Sequence, residues 1–204
     1  MLFNPRANFL YMAGKTDAGK AWTGRFDGKD LKTVIRTVPN FPKKGIMYRD
    51  ITTLIKDPLA YRHAISGMKK HFSGMKIDKI VSPESRGFIF GGVLAHEMGI
   101  SFVPLRKPGK LPWKTVKHEY MTEYSKDAIE MHADAITPGD RVLLIDDLLA
   151  TGGTIEAAAK LVEKQGAKVV GLGFIIELSY LGGRERLRRY HVFSLVDYKA
   201  EEEG

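Results

Sequence analysis

The sequence predicts an α/β domain: a parallel, twisted sheet with helices on both faces. Three observations predict it. Runs such as "VLLI" and "VVGLGFII" are apolar at consecutive positions, as strands buried on both faces are, and too short to span a membrane. Helical patterns alternate with these runs from Leu31 onward. Small, glycine-rich turns join strand to helix, above all in "IDDLLATGGT".

The elements follow in order. "MAGKTDAGKAWTGRFDGKD" is rich in Gly and Lys and lacks periodicity, so the chain divides into an N-terminal extension, 1–30, and one domain, 31–204. Within the extension, "GKTDAGKA" approaches the nucleotide P-loop pattern but fails at Ala21, where a hydroxyl should meet the metal. It also lacks serine, which argues against a transit peptide. Asp57 as N-cap and Pro58 at the first position start a helix that directs Leu59, Ala60, Ile65, Met68 and Phe72 toward a core. "KIVSP" ends a strand, and "GFIFGGVLAHEMG" is a helix closed by Gly99. "SFVPLRK" is the next strand, followed by a polar segment from Pro108 to about Glu123 and a strand at "AIEMH". Thr137 to Asp140 turn the chain into "RVLLID"; a helix from Thr151 to Lys164 is capped by Gly166, and "KVVGLGFIIEL" is a further strand.

Composition bounds the function. With 204 residues, 44% of them hydrophobic and 27% charged, the chain suffices for one soluble domain with a sizeable core. The absence of cysteine excludes disulfides and thiolate metal sites and fits a cytoplasmic setting. The six histidines are scattered without metal-ligand spacing, so no protein-built metal site is expected. A net charge of +8 suits a polyanionic partner: nucleic acid, anionic lipid or a phosphorylated small molecule. The basic residues are dispersed, however, and "RERLRR" reads as a solvated helix face, so neither nucleic acid nor membrane is the expected partner.

The chemistry concentrates between Asp146 and Thr154. Gly152, Gly153 and Thr154 stand where a strand becomes a helix, with Thr151 beside them. Free N–H groups at a helix start, small residues and two hydroxyls suit a phosphate; the plain alternative is a strand–helix turn capped by threonine. Asp146 and Asp147 alter that balance. Adjacent strand residues face opposite ways, so the two carboxylates are expected to be ionised and to accept from hydroxyl groups rather than share a proton. A phosphate in the turn and vicinal hydroxyls on the acids describe a ribose 5-phosphate site.

Here the sequence resembles the type I phosphoribosyltransferases, whose signature is an apolar run, two acids, an apolar pair and "ATGGT". Four more motifs are similar to those of the adenine-specific branch: "FPKKGIMYRDIT" (Phe41 to Thr52), "ESRGFIFG" (Glu84 to Gly91), "RKPGKLP" (Arg106 to Pro112) and "EYMTEYS" (Glu119 to Ser125). The resemblance runs from about Leu31 to Tyr198. It implies that branch's fold, with a small N-terminal hood for the base and a flexible lid over the parallel sheet. It also implies transfer of the phosphoribosyl group from 5-phosphoribosyl-1-pyrophosphate to adenine, giving AMP and pyrophosphate in purine salvage. Mg²⁺ is expected to arrive mainly on the pyrophosphate, and a homodimer is expected.

Carried over onto matching positions, the resemblance gives Asp146, Asp147, Ala150, Thr151, Gly152, Gly153 and Thr154 to the phosphoribosyl group. Glu84, Ser85, Arg86, Arg106, Lys107 and Lys110 fall to pyrophosphate, with a strained Glu84–Ser85 peptide. Met47, Tyr48, Arg49, Leu148 and Leu149 fall to adenine, the backbone of Met47 and Arg49 reading its edge. Glu123 and Tyr124 form the lid, and Glu123, Arg86, Asp146 and Asp147 carry catalysis. Pro83, Trp113 and Ser125 depart from the pattern, and Ser125 stands where glycine is common. Two rivals keep the fold: a nucleotide-sensing regulator, and an enzyme for hypoxanthine, xanthine or orotate. The intact acidic pair and complete lid weigh against the first, and "FPKKGIMYRD" and "RKPGKLP" against the second.

Overall fold

The structure, a computed structural model, describes residues 25–26, 29–121 and 126–201. Nearly all of the extension, and Glu123, Tyr124 and Ser125 of the lid, lie outside the described residues. Strands β1 (Arg25–Phe26) and β2 (Lys29–Asp30) pair antiparallel, and a hairpin of β3 (Arg36–Pro39) and β4 (Met47–Asp50) follows. After the short helix α1 (Thr52–Ile55) comes α2 (Pro58–Phe72), with Asp57 accepting from the N–H groups of Leu59 and Ala60. The core face of α2 is Ala60, Ala64, Ile65, Met68 and Phe72. Leu59, expected in that core, is 58% exposed because it lies one residue out of phase with the buried stripe.

Strand β5 (Lys79–Pro83) leads into α3 (Arg86–Met98), which Gly99 ends at φ 66°. Then come β6 (Ser101–Leu105), β7 (Thr115–Met121), β8 (Lys126–His132), β9 (Arg141–Leu149) and α4 (Gly153–Lys164). The chain finishes with β10 (Lys168–Leu178), the one-turn helix α5 (Gly183–Arg186) and β11 (Val192–Tyr198). The polar segment after Pro108 is thus partly a strand: β7 and β8 form an antiparallel arm in which Val116 and Tyr120 turn inward. Its alternation was hidden by charged residues on the outward positions.

The central sheet is parallel throughout, in the order β11-β10-β9-β5-β6. Its strands read as unbroken apolar runs because each face has its own core. From β9, Leu143 and Ile145 meet Met68, Phe72, Phe90 and Leu94 of α2 and α3, while Val142 and Leu144 meet Ile155, Ala158 and Leu161 of α4. The chain lays β6 on one side of β5 and β9 on the other, so its winding reverses between β5 and β9. In open α/β sheets, ligands bind beyond the carboxyl ends at such a switch point. Strand β9 stays paired with β10 up to Leu149 but parts from β5 after Leu144, which opens a crevice at that place.

Candidate active site

A cleft of about 840 Å³ occupies that crevice. Its floor is Pro83–Arg86 at the end of β5 and Asp146–Ile155 at the end of β9, its walls Tyr120 and Met121 of β7 and Arg186 of α5. Glu84, Ser85, Arg86, Asp146, Asp147, Leu148, Leu149, Ala150, Thr151, Gly152, Gly153 and Thr154 therefore come together as expected. Met47, Tyr48, Arg49, Arg106, Lys107 and Lys110 do not line this cleft.

The phosphate turn is shaped by close packing. Gly152 has φ 80°, a left-handed conformation that side chains avoid, and caps α4, which begins at Gly153 rather than at Thr151. Behind it stands α5: a Cβ on Gly183 would lie 2.1 Å from the carbonyl oxygen of Ala150. Tyr120 brings its hydroxyl to 3.4 Å from that of Thr154, tying the arm to the turn. The N–H groups at the start of α4 and the two threonine hydroxyls offer donors to an anion in the cleft.

The acidic pair departs from expectation. Both carboxylates reach the first residues of α3 instead of separating cleanly. Arg86 Nε lies 2.9 Å from Asp147 Oδ2, and a Cβ on Gly87 would lie 2.9 Å from Asp146 Oδ1. Asp146 Oδ1 also accepts from the Asp147 N–H at 2.9 Å. Beyond Leu144 no β5 strand holds β9 on that side, and the start of α3 fills the gap. Burial, then the charge of Asp147, pushes Asp146 well above the usual carboxylate range, although its edge still opens to the cleft. Burial also raises Asp147, against the opposing pull of Arg86. Burial and mutual repulsion thus work against the expected double charge in the free protein, and Arg86 works for it.

Arg86 is the hub of the cleft. Besides Asp147, its Nη1 donates to the Tyr48 hydroxyl at 2.5 Å, and its guanidinium lies 5.4 Å from the centre of that ring. The hairpin thereby reaches the site through Tyr48, whose ring meets Phe41 edge-on at 5.1 Å. Arg49 points the other way, as neighbours on a strand do. Its side chain is 1% exposed, lies 3.9 Å from the centre of the Tyr198 ring, and donates to Thr37 Oγ1 at 2.5 Å and the Glu201 carbonyl at 2.8 Å. It is a structural tie between the hairpin and the end of β11. Asp50 instead meets Arg36; burial opposes its charge, but hydrogen bonds from Arg36 and Thr52 hold it down at about 2. Leu149, at 1% exposure, is core that only borders the cleft, while Leu148 is half-open.

The Glu84–Ser85 peptide is cis. The carboxylate of Glu84 accepts from Arg106 Nε at 2.6 Å and from the Lys107 N–H at 2.8 Å, so it anchors the "RKPGKLP" loop beside the cleft. Burial would raise Glu84, but those two donors outweigh it and leave it below its usual range. Lys107 Nζ stands 3.4 Å from Asp127, and the Lys110 carbonyl accepts from Arg106 Nη1 at 2.9 Å. Sequence reading missed Tyr120, hidden in a polar segment, and Arg186, hidden in a basic run. No cluster of three or more His, Cys, Asp or Glu among the described residues could hold a metal ion.

A family model described as phosphoribosyl transferase domain matches residues 52–202. The adenine phosphoribosyltransferase of Maricaulis maris is 55% identical over 172 residues, covering 83% of this chain and 98% of that protein. The crystal structure of adenine phosphoribosyltransferase from Thermoanaerobacter pseudethanolicus superposes with TM-score 0.80 at 49% identity, covering 82% of this chain and 98% of that one. The Saccharomyces cerevisiae enzyme, complexed with an imino-altritol bisphosphate and adenine, has TM-score 0.76 and 40% identity over 81% of this chain and 96% of its own.

Proposed function

The chain belongs to the adenine phosphoribosyltransferases, and from that premise we propose that it moves the 5-phosphoribosyl group from 5-phosphoribosyl-1-pyrophosphate to adenine, releasing AMP and pyrophosphate. The observation that carries this reading is the single cleft bordered by Asp146, Asp147, the Ala150–Thr154 turn and Arg86. Carboxylates and an anion-binding turn coexist there because a sugar phosphate presents hydroxyls to one and phosphate to the other.

The residues divide the work. The turn holds the 5′-phosphate; Asp146 and Asp147 accept from the ribose hydroxyls and fix the ring. Bond breaking at the anomeric carbon leaves charge on the departing pyrophosphate, and Arg86, beside the Glu84–Ser85 peptide, faces that charge. Arg106, Lys107 and Lys110 add positive charge from the loop that Glu84 anchors. Tyr48 and Leu148 bracket the space for the base, with the backbone of Met47 and Arg49 at its edge. Purine nitrogen attacks as the carbon–oxygen bond opens, and by the resemblance its proton falls to Glu123 of the lid.

Mg²⁺ would arrive mainly on the pyrophosphate, and the hard oxygen donors of Asp146 and Asp147 would suit it with few direct contacts. When bound, it neutralises pyrophosphate charge. The setting we propose is cytoplasmic and the assembly a homodimer; exposed Leu59 and Val93, on the packed helices α2 and α3, supply apolar surface for one. We also propose that residues 1–30 are an extension outside the catalytic unit. In support, alignment with 83% of this chain already spans 98% of the Maricaulis maris protein.

Separate assays with adenine, hypoxanthine, guanine, xanthine and orotate test the reading. AMP from adenine alone is expected. Product from another base would discard the base pocket around Tyr48, and none from any base would discard the transferase reading.

A further inference from the structure

Four arginines crowd the segment from Arg184 to Arg189, and three of them meet carboxylates. Arg184 Nε donates to Glu177 Oε1 at 2.8 Å, Arg188 Nη1 stands 3.1 Å from Glu185 Oε1, and Arg189 pairs with Glu163. Arg186 has no ion-pair partner among the described residues. Its guanidinium reaches the glycine turn instead. A Cβ built on Gly153 would stand 3.0 Å from Arg186 Nη1, and Arg186 borders the cleft together with Gly152, Gly153 and Thr154.

This placement is built into the fold. Helix α5 packs its backbone on the turn: the Cβ position of Gly152 lies 3.1 Å from the Gly183 carbonyl oxygen, and that of Gly183 lies against Ala150. Three residues on, Arg186 projects from the same side of the helical turn. The turn itself supplies only neutral N–H and hydroxyl donors, and Arg86 is engaged by Asp147. A phosphate dianion at Gly153 would therefore find its unpaired full positive charge in Arg186. A guanidinium suits that task, since its fork of donors matches two phosphate oxygens.

We infer that Arg186 is a substrate-binding residue that clamps the 5′-phosphate beside the start of α4. This rests on the reading that the turn takes a phosphoribosyl group. It gives the arginine run a function beyond a solvated surface, with three members fixed by carboxylates and one left for the ligand.

Equilibrium binding of AMP, adenosine and ribose 5-phosphate to the full chain tests it, with Arg186→Ala, Arg186→Lys and the control Arg188→Ala. Arg186→Ala is expected to weaken AMP and ribose 5-phosphate at least tenfold, as a lost charge-assisted contact does, and to leave adenosine unchanged. In turnover its KM for phosphoribosyl pyrophosphate should rise while that for adenine stays. Arg186→Lys should restore most of the loss, and Arg188→Ala should lie within about twofold of the parent. AMP binding unchanged in Arg186→Ala, or AMP and adenosine weakened alike, would overturn the inference. Binding also separates the two readings. A parent chain that binds ribose 5-phosphate but makes no AMP would discard the transferase, while Arg186 is still judged by the ratio of AMP to adenosine losses.

Discussion

Arg86 Nε lies 2.9 Å from Asp147 Oδ2, so the cation proposed for the leaving group also bears on the charge of the acid proposed for the sugar. Burial raises Asp147 and Arg86 lowers it. Replacing Arg86 with Gln should therefore do two things. It should lose a contact to an ionic group of about 1.5–3 kcal/mol, roughly ten- to a hundredfold in kcat/KM for phosphoribosyl pyrophosphate. It should also move the acid limb of the pH profile upward, because Asp147 then protonates more readily. A drop in rate with an unmoved acid limb would separate Arg86 from Asp147.

Asp146 predicts a trade between stability and activity. Its carboxyl is raised well above the ordinary value in the folded protein, first by burial and then by Asp147. The folded state thus binds its proton more tightly than the unfolded chain, and stability falls as pH rises through the window between the unfolded and folded values. At neutral pH the group works against folding. Asp146→Asn should raise Tm of the free protein at pH 7, show little gain below about pH 4, where both states are protonated, and lose activity. Equal gains at both pH values, or a lower Tm at pH 7, would count against a carboxyl strained by burial.

Gly183 predicts the cost of moving the phosphate turn. A methyl group there would meet the Ala150 carbonyl at 2.1 Å, a distance no backbone tolerates, so the turn or α5 must shift. Gly183→Ala should lose roughly 1–3 kcal/mol of stability and raise KM for phosphoribosyl pyrophosphate more than for adenine. Gly74, with nothing within 4 Å of its Cβ position, is the control and should tolerate alanine. Denaturant melts and the two KM values decide it; an unperturbed Gly183→Ala would mean that α5 is not seated on the turn.

What the sequence revealed follows from which signals are local. The strand–turn–helix around Asp146 and Gly152 is one continuous segment, so the meeting of its residues at one cleft was legible. So was the parallel sheet, because burial on both faces writes itself as unbroken apolar runs. Tyr48 and Arg49 show the limit. Neighbours in sequence, they point to opposite faces of β4, one to Arg86 and the other to Tyr198, and both partners are distant in the chain. Arg186 was illegible for a similar reason. Four arginines in one short run look alike until Glu163, Glu177 and Glu185 claim three of them.

His71 and His191 set a limit on acid tolerance away from the cleft. Their Nε2 atoms lie 2.8 Å apart, one donating to the other, and the His71 ring stacks on Phe193 at 3.6 Å. Burial, then repulsion from His191, lowers the pKa of His71 below 6.5. The groups facing the pair from the packed elements are mostly basic, Lys69 and Lys70 on α2 and Arg189 before β11, and the carboxylates Glu97 and Glu163 are already engaged by Lys69 and Arg189. Because the folded value lies below the unfolded one, the unfolded chain binds the proton first, so stability is lost as pH falls through about 6.5 and toward the folded value. His71→Gln should flatten that acid limb, keeping a hydrogen-bonding group without a proton to gain. Tm measured at closely spaced pH values from neutral down to about 5 is the check, within the range where histidine titrates. A variant whose Tm falls with acid as steeply as the parent's would show that the pair does not govern acid stability.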